Sequence, residues 1–90
     1  MVMTDQKSLD AIAHRLELTR TALGLSQSEF ADRAGIARNT YNQWEKAKGR
    51  PQLDGAISLC QTYNLTLDWI YFGDKSGLSY AIAQQLTSAA

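Results

Sequence analysis

The sequence predicts an all-α fold, and three observations carry this prediction. Apolar residues recur every three or four positions through most of the chain, which is the period of an amphipathic helix. The alternation of polar and apolar residues that is typical of a half-buried strand is absent. With 90 residues, the chain has room for one small domain with its own core.

The first helix is predicted over residues 9 to 23 and ends at Gly24, a residue type that readily adopts the left-handed conformation found after helices. Its apolar residues share one face. They are Leu9, Ile12, Ala13, Leu16 and Leu23. Arg20 lies on the same face, where a charge without a partner would be costly.

The second helix begins with a recognisable pattern. Ser26 and Glu29 have the spacing of a capping box, in which each side chain binds a backbone amide of the other residue. Leu25 and Phe30 match the hydrophobic contact that often accompanies it. Gly35 ends this short helix.

The third helix is predicted from about Arg38 to Lys46. Tyr41 and Trp44, three residues apart, form its buried side. The opposite side is polar and mostly uncharged. It carries Arg38, Asn39, Asn42 and Gln43.

Two further helices are predicted over residues 53 to 63 and 67 to 72, and they end at Asn64 and Gly73. We expect Gly55 to weaken the first of these by about 1 kcal/mol relative to alanine. A short sixth helix begins at Leu78, after a hinge.

Charge is unevenly distributed although the net charge is zero. The segment from Arg33 to Arg50 has five basic side chains against one acidic side chain, a local charge of +4, whereas the flanking segments each carry −2. Such a basic segment favours contact with an anionic partner, and its alternative interpretation is a solvated, lysine-rich turn.

Several classes of protein are disfavoured. A single cysteine cannot form an internal disulfide, and we expect neither a signal peptide nor a membrane span, which together favour a cytoplasmic location. One histidine, His14, and one cysteine, Cys60, lack the spacing of a metal site. No catalytic motif is present, so we expect no enzyme activity, no cofactor and no small-molecule ligand.

The second and third predicted helices, joined by a turn with one glycine, match a helix-turn-helix unit. The second helix of such a unit enters the major groove of DNA. There, amide side chains suit adenine and the arginine fork suits guanine. A helix exposed only for solubility would more often carry Glu and Lys.

Three segments together resemble the phage repressor and Cro family, the XRE-like helix-turn-helix regulators. They are LGLSQSEFADRAGIARNTYNQWE, KAKGRP and LTLDWIYFGD. The resemblance covers roughly Leu9 to Asp74. It implies a five-helix lambda-repressor-like domain over residues 8 to 74 that binds double-stranded operator DNA, generally as a homodimer.

The resemblance also implies roles for particular residues. Gln27 lies where the family contacts a phosphate. Arg20 and Glu45 match a pair that in some members forms a buried salt bridge. Base contacts are implied for Arg38, Asn39 and Gln43, and we expect Asn42, next to them on the same side of the helix, to contact bases as well. Backbone contacts are implied for Lys46 and Lys48. We expect a phosphate contact from Arg50 too, because it belongs to the same basic segment.

Three residues depart from the family pattern. Ala37 replaces the usual serine or threonine cap, so we expect Asn39, Thr40 or water to satisfy the free amides of the third helix. Tyr41 replaces an aliphatic residue, and Ala47 replaces a frequent glycine. These departures bear on the angle of the third helix and on the path of the basic turn.

The C-terminal segment, residues 75 to 90, has two interpretations. Its helix either packs back on the domain or forms a dimer contact through Leu78, Ile82 and Leu86. The function expected for the whole chain is that of a sequence-specific transcriptional regulator, in particular a repressor. The alternatives are an antitoxin that also binds its own promoter, and a protein-interaction module that has lost DNA binding.

Overall fold

The computed structural model describes residues 5 to 89 and contains six α-helices and no strand within that range. The all-α prediction is therefore confirmed. The helices are α1 (Leu9–Ala22), α2 (Gln27–Arg33), α3 (Arg38–Glu45), α4 (Leu53–Tyr63), α5 (Leu67–Phe72) and α6 (Tyr80–Ala89). Only α6 begins two residues later than the sequence indicates. None of these helices is long and apolar enough to cross a membrane.

Local capping interactions explain several helix boundaries. The capping box at the start of α2 is formed, with the Ser26 hydroxyl accepting from the Glu29 amide at 3.1 Å and the Glu29 carboxylate accepting from the Ser26 amide at 3.0 Å. At the C-terminal end of α4, Asn64 has a φ of 58°, which is the left-handed conformation expected of it. Gly73 ends α5 with a φ of 76°.

Aromatic residues connect α2, α3 and α4. The Phe30 ring lies 4.3 Å from the Tyr63 ring in a stacked arrangement and 5.2 Å from the Tyr41 ring at a tilt of 57°. Phe30 and Tyr41 are both fully buried. Offset and tilted aromatic pairs add about 0.5–1.5 kcal/mol to the gain from burial alone. This cluster therefore fixes α3 relative to the two helices beside it.

Gly55 has a packing role that the sequence did not reveal. A Cβ atom at this position would lie 2.6 Å from Cη2 of Trp44. The absence of a side chain on α4 thus makes space for the indole ring of α3. Gly55 lowers helix propensity, as expected, but it also allows close packing between two helices.

Arg15 is a buried cation on α1, a position that no motif in the sequence marks. It is 5% exposed, and its Nε and Nη2 atoms donate to the carbonyl of Ile70 at 3.2 and 3.1 Å. Nη1 donates to Oε1 of Gln6 at 3.1 Å, and the guanidinium carbon lies 6.0 Å from the centroid of the Trp69 ring. Burial lowers the pKa of Arg15. The residue fastens α1 to the carbonyl end of α5.

The C-terminal helix packs back on the domain. Leu86 is 1% exposed and belongs to the main core, while Leu78 and Ile82 are half-buried against that core. For Leu86 this favours the first of the two interpretations, a helix that packs back on the domain, because its side chain is covered by α1 and the rest of the core. Through Leu78, Ile82 and Leu86, this segment contributes to the same core as the preceding helices.

Candidate nucleic-acid interface

The α2–α3 pair has the geometry of a helix-turn-helix. Gly35 occupies the connecting turn with a φ of 71°, and the Ile36 amide donates to the Ala31 carbonyl at 2.9 Å. Tyr41 and Trp44 bury one side of α3, with exposures of 0 and 5%. On the other side Arg38, Asn39 and Gln43 are exposed. The helix is thus anchored through its aromatic side and presents a polar side to solvent.

The start of α3 lacks a conventional cap. Ala37 occupies the N-cap position and has no side-chain acceptor. Oδ1 of Asn39 accepts from the Thr40 amide at 3.0 Å, so Asn39 supplies one of the hydrogen bonds that the cap would give. The Nδ2 group of Asn39 makes no hydrogen bond to the described part of the chain.

Arg38 is bound to an acidic residue of α2. Its Nε donates to Oδ1 of Asp32 at 3.2 Å, and its Nη2 donates to Oδ2 at 2.8 Å. Both side chains are more than half exposed. Hydrogen bonding to Arg38 lowers the pKa of Asp32, and the same contact raises the pKa of Arg38. The contact of Asp32 with Arg38 was not predictable from the sequence, because a separation of six residues across a turn matches no helical spacing.

Asn42 and Gln27 form one unit across the two helices. Nδ2 of Asn42 donates to Oε1 of Gln27 at 2.9 Å, and Nε2 of Gln27 donates to Oε1 of Glu45 at 2.9 Å. Both amide side chains are half-buried. Asn42 therefore differs from Arg38, Asn39 and Gln43, which are exposed, since its side chain is half-buried and bound to the amide of Gln27.

Glu45 is the centre of this hydrogen-bond network. Arg20 binds it through Nε at 2.7 Å and through Nη2 at 3.1 Å, while Nη1 of Arg20 donates to the Leu25 carbonyl at 2.9 Å. The Tyr41 hydroxyl also donates to the carboxylate. The side chains of Arg20 and Glu45 are 14 and 3% exposed. The structure thus places both residues in one bidentate ion pair between α1 and α3.

The ionisation of this network follows from its contacts. Burial acts to raise the pKa of Glu45, but the hydrogen bonds from Arg20, Tyr41 and Gln27 outweigh it, so the pKa is lowered. Burial raises the pKa of Tyr41 strongly, and its hydrogen bond to Glu45 adds to that shift. Glu45 is therefore an anion at neutral pH and Tyr41 remains a donor. Tyr41, which stands where the family has an aliphatic residue, thus adds a hydrogen-bond donor to the buried carboxylate of Glu45.

The basic residues after α3 divide into two groups. Lys46 and Lys48 are exposed and make no side-chain hydrogen bond or ion pair within residues 5 to 87. Between them, Ala47 adopts a φ of 58°, and the Lys48 amide donates to the Gln43 carbonyl at 3.0 Å. Arg50 instead donates to the Lys7 carbonyl, which ties it to the segment before α1.

Other kinds of site find no support in this part of the molecule. Among the residues that the structure describes, no group of His, Cys, Asp and Glu side chains could hold a metal ion. His14 is exposed on α1, and Cys60 is a half-buried free thiol on α4 that packs against the core.

Comparison with known proteins agrees with this geometry. A family model described as Helix-turn-helix matches residues 16 to 70. The chain belongs to the helix-turn-helix family. The matched region of this helix-turn-helix chain includes the Arg20–Glu45 pair and all of α2, α3 and α4. Membership confirms the resemblance described above.

Curated relatives of the helix-turn-helix chain are regulators from bacteria. It is 32% identical over 56 residues to the uncharacterized HTH-type transcriptional regulator YobD of Bacillus subtilis. The aligned region covers 62% of this chain and 50% of that protein. It is 26% identical over 57 residues to the cryptic phage CTXphi transcriptional repressor RstR of Vibrio cholerae, covering 63 and 51%.

A third relative is named as an activator. The HTH-type transcriptional activator BcrR of Enterococcus faecalis is 25% identical over 61 residues, which cover 68% of this chain and 30% of that protein. The matches to these relatives thus span between about a third and about half of their lengths. No solved structure gives a significant match.

Proposed function

We propose that this chain is a sequence-specific DNA-binding transcriptional regulator. The observation that carries the proposal is the two-sided character of α3. Tyr41 and Trp44 hold one side in the core, and hydrogen-bonding side chains without a core role occupy the other. A single α-helix fits the major groove, where each base pair displays a distinct set of donors and acceptors.

Three side chains of α3 would read bases. The free end of the Arg38 guanidinium matches the two acceptors of guanine, and the amides of Asn39 and Gln43 match the donor and acceptor of adenine. Asn42 would act differently, because its amide already binds Gln27. We assign it to the positioning of Gln27, with any base contact limited to its remaining donor and acceptor groups.

Phosphate contacts would fix the orientation of α3 in the groove. Gln27 keeps one N–H of Nε2 beyond its bond to Glu45, and this N–H could donate to a phosphate oxygen. Lys46 and Lys48 are exposed after α3 and would contact the backbone of the same DNA segment. Arg50 is the weaker assignment, since one Nη1 donor is already bound to the Lys7 carbonyl and only its other donors are left for a phosphate.

We further propose that the chain acts as a repressor and binds as a homodimer. Repression needs only that DNA be occupied, whereas activation needs an additional favourable contact with the transcription machinery. A second copy would double the number of base contacts and would place the half-sites about one helical turn, roughly 34–36 Å, apart. The name of the relative RstR agrees with repression, although the name of BcrR does not.

Selection from a randomised DNA duplex pool, at about physiological salt, tests the proposal. We expect an enriched palindrome with half-sites one turn apart, bound by two copies of the protein. An enriched sequence without symmetry would support sequence-specific DNA recognition but contradict binding as a homodimer. Weak binding without enrichment, lost as salt rises, would reject sequence-specific recognition and favour the protein-interaction alternative.

A further inference from the structure

We infer that Asp32 is a specificity-determining residue of the interface, because it holds the Arg38 guanidinium with its base-reading end open. This inference rests on the proposed function. Asp32 lies in the last turn of α2, outside the recognition helix, and no feature of the sequence marks it. The structure brings its carboxylate into a two-point contact with the first residue of α3.

The choice of donors in this contact is informative. A guanidinium has five N–H donors: one on Nε and two on each Nη. Asp32 takes the Nε donor at 3.2 Å and one Nη2 donor at 2.8 Å, which together form the side edge of the group. The two Nη1 donors and the second Nη2 donor are left. Nη1 and Nη2 together form the end edge, and its two parallel N–H groups can bind O6 and N7 of guanine.

Holding the side edge restricts how Arg38 can approach DNA. An arginine without this contact could turn its side edge to a phosphate or use either edge on a base. With the side edge occupied, only the end edge remains for DNA. The carboxylate also keeps the long side chain from sampling many rotamers, so less conformational freedom is lost when the base contact forms.

The Asp32–Arg38 ion pair is not explained by a contribution to folding stability. Both side chains are more than half exposed, and exposed ion pairs contribute little to stability in most measurements. An acidic residue in the last turn of a helix also interacts unfavourably with the negative end of the helix dipole. In addition, Asp32 places a negative charge beside a surface that we assign to DNA. These costs have a rationale if the orientation of Arg38 determines specificity.

Parallel duplex selections on five proteins test the inference: the wild type, Asp32→Ala, Arg38→Ala, the double variant and Glu17→Ala. Arg38→Ala identifies the base pair that Arg38 reads, as the position that loses its guanine preference. At that position we expect Asp32→Ala to lower the guanine preference about two- to fivefold, the range open to an exposed ion pair. Other positions should be unchanged, and Asp32→Ala should have no further effect there when Arg38 is absent.

Glu17→Ala is the matched control, because it removes an exposed carboxylate from α1 without any contact to Arg38. A purely electrostatic role for Asp32 would raise binding to all duplexes alike and leave the guanine preference intact, which would overturn the inference. A stronger guanine preference in Asp32→Ala would also overturn it, since Asp32 would then compete with the base. If the wild type enriches no sequence, the proposed function itself fails, and this inference fails with it.

Discussion

Asn42 donates a 2.9 Å hydrogen bond to Gln27, so a residue of α3 positions a residue of α2. The position of Asn42 in the sequence places it among the residues expected to read bases. Its hydrogen bond instead orients Gln27, so Asn42 supports the phosphate contact that we propose for Gln27. Neither side chain can be replaced without releasing a half-buried partner. Their effects on DNA binding should therefore be linked.

The first prediction concerns this pair. Asn42→Ala should weaken binding to preferred and altered duplexes by a similar factor, about fivefold, because one neutral hydrogen bond is worth about 1 kcal/mol. Gln27→Ala should do the same, and the double variant should lose little more than either single variant. Fluorescence anisotropy titrations with preferred and altered duplexes measure the DNA affinity of the wild type, the two single variants and the double variant. A loss confined to one base pair in Asn42→Ala would return Asn42 to the base-reading group.

The second prediction separates base contacts from phosphate contacts. Arg38→Ala should lose discrimination at one base pair by about 1–3 kcal/mol, because a bidentate contact with guanine is removed. Lys48→Ala should weaken binding to all sequences alike and reduce the salt dependence by about one phosphate contact. Binding titrations at several salt concentrations distinguish the two. If both variants acted uniformly on all sequences, the base-reading role of Arg38 would be wrong.

The third prediction concerns the Arg20–Glu45 ion pair. Arg20→Ala should lower the free energy of unfolding by about 3 kcal/mol, because it leaves a nearly fully buried carboxylate without its charged partner. Urea unfolding measures this loss, and Arg33→Ala, an exposed arginine at the end of α2, is the control with little expected effect. An equal loss in both variants would show that the pair has no special contribution.

The fourth prediction is the pH dependence that follows from Glu45. Because its pKa is lower in the folded state than in the unfolded chain, its contribution to stability is fully present above the unfolded value of about 4.3. This contribution is lost as the pH falls through the lower folded pKa. Unfolding free energies measured from pH 7 to about pH 3 should decrease in acid, and Glu45→Gln should make the decrease smaller. An unchanged profile in Glu45→Gln would assign the acid sensitivity to other carboxylates.

The fifth prediction concerns Gly55. Gly55→Ala should destabilise the fold by about 1–2 kcal/mol, because overpacking against Trp44 costs more than the helix propensity of alanine returns. Gly49→Ala is the matched control, since a Cβ there meets no atom within 4 Å and the backbone is not left-handed. Thermal unfolding compares the two. A stabilised Gly55→Ala variant would mean that the Trp44 ring shifts at little cost.

The helices and the α2–α3 unit were predictable from the sequence because their signals are local. Ser26 and Glu29 are three residues apart, and Tyr41 and Trp44 share a helix face through the 3.6-residue period alone. Gly35 marks the turn because its conformation is a property of one residue. The polar side of α3 was also predictable, because its residues follow the same helical period. The match to the helix-turn-helix family model agrees with the α2–α3 unit.

Only the tertiary structure decided which of these residues act together. Asp32 and Arg38, and likewise Gln27 and Asn42, meet because α2 and α3 cross at a particular angle, and hydrogen bonds form only within a few tenths of an ångström. The packing of α4 against α3, a separate tertiary contact, brings Gly55 against the Trp44 ring. The apolar face of α6 has one pattern whether it covers its own core or a partner, so the burial of Leu86 could be settled only by the packing of the whole chain.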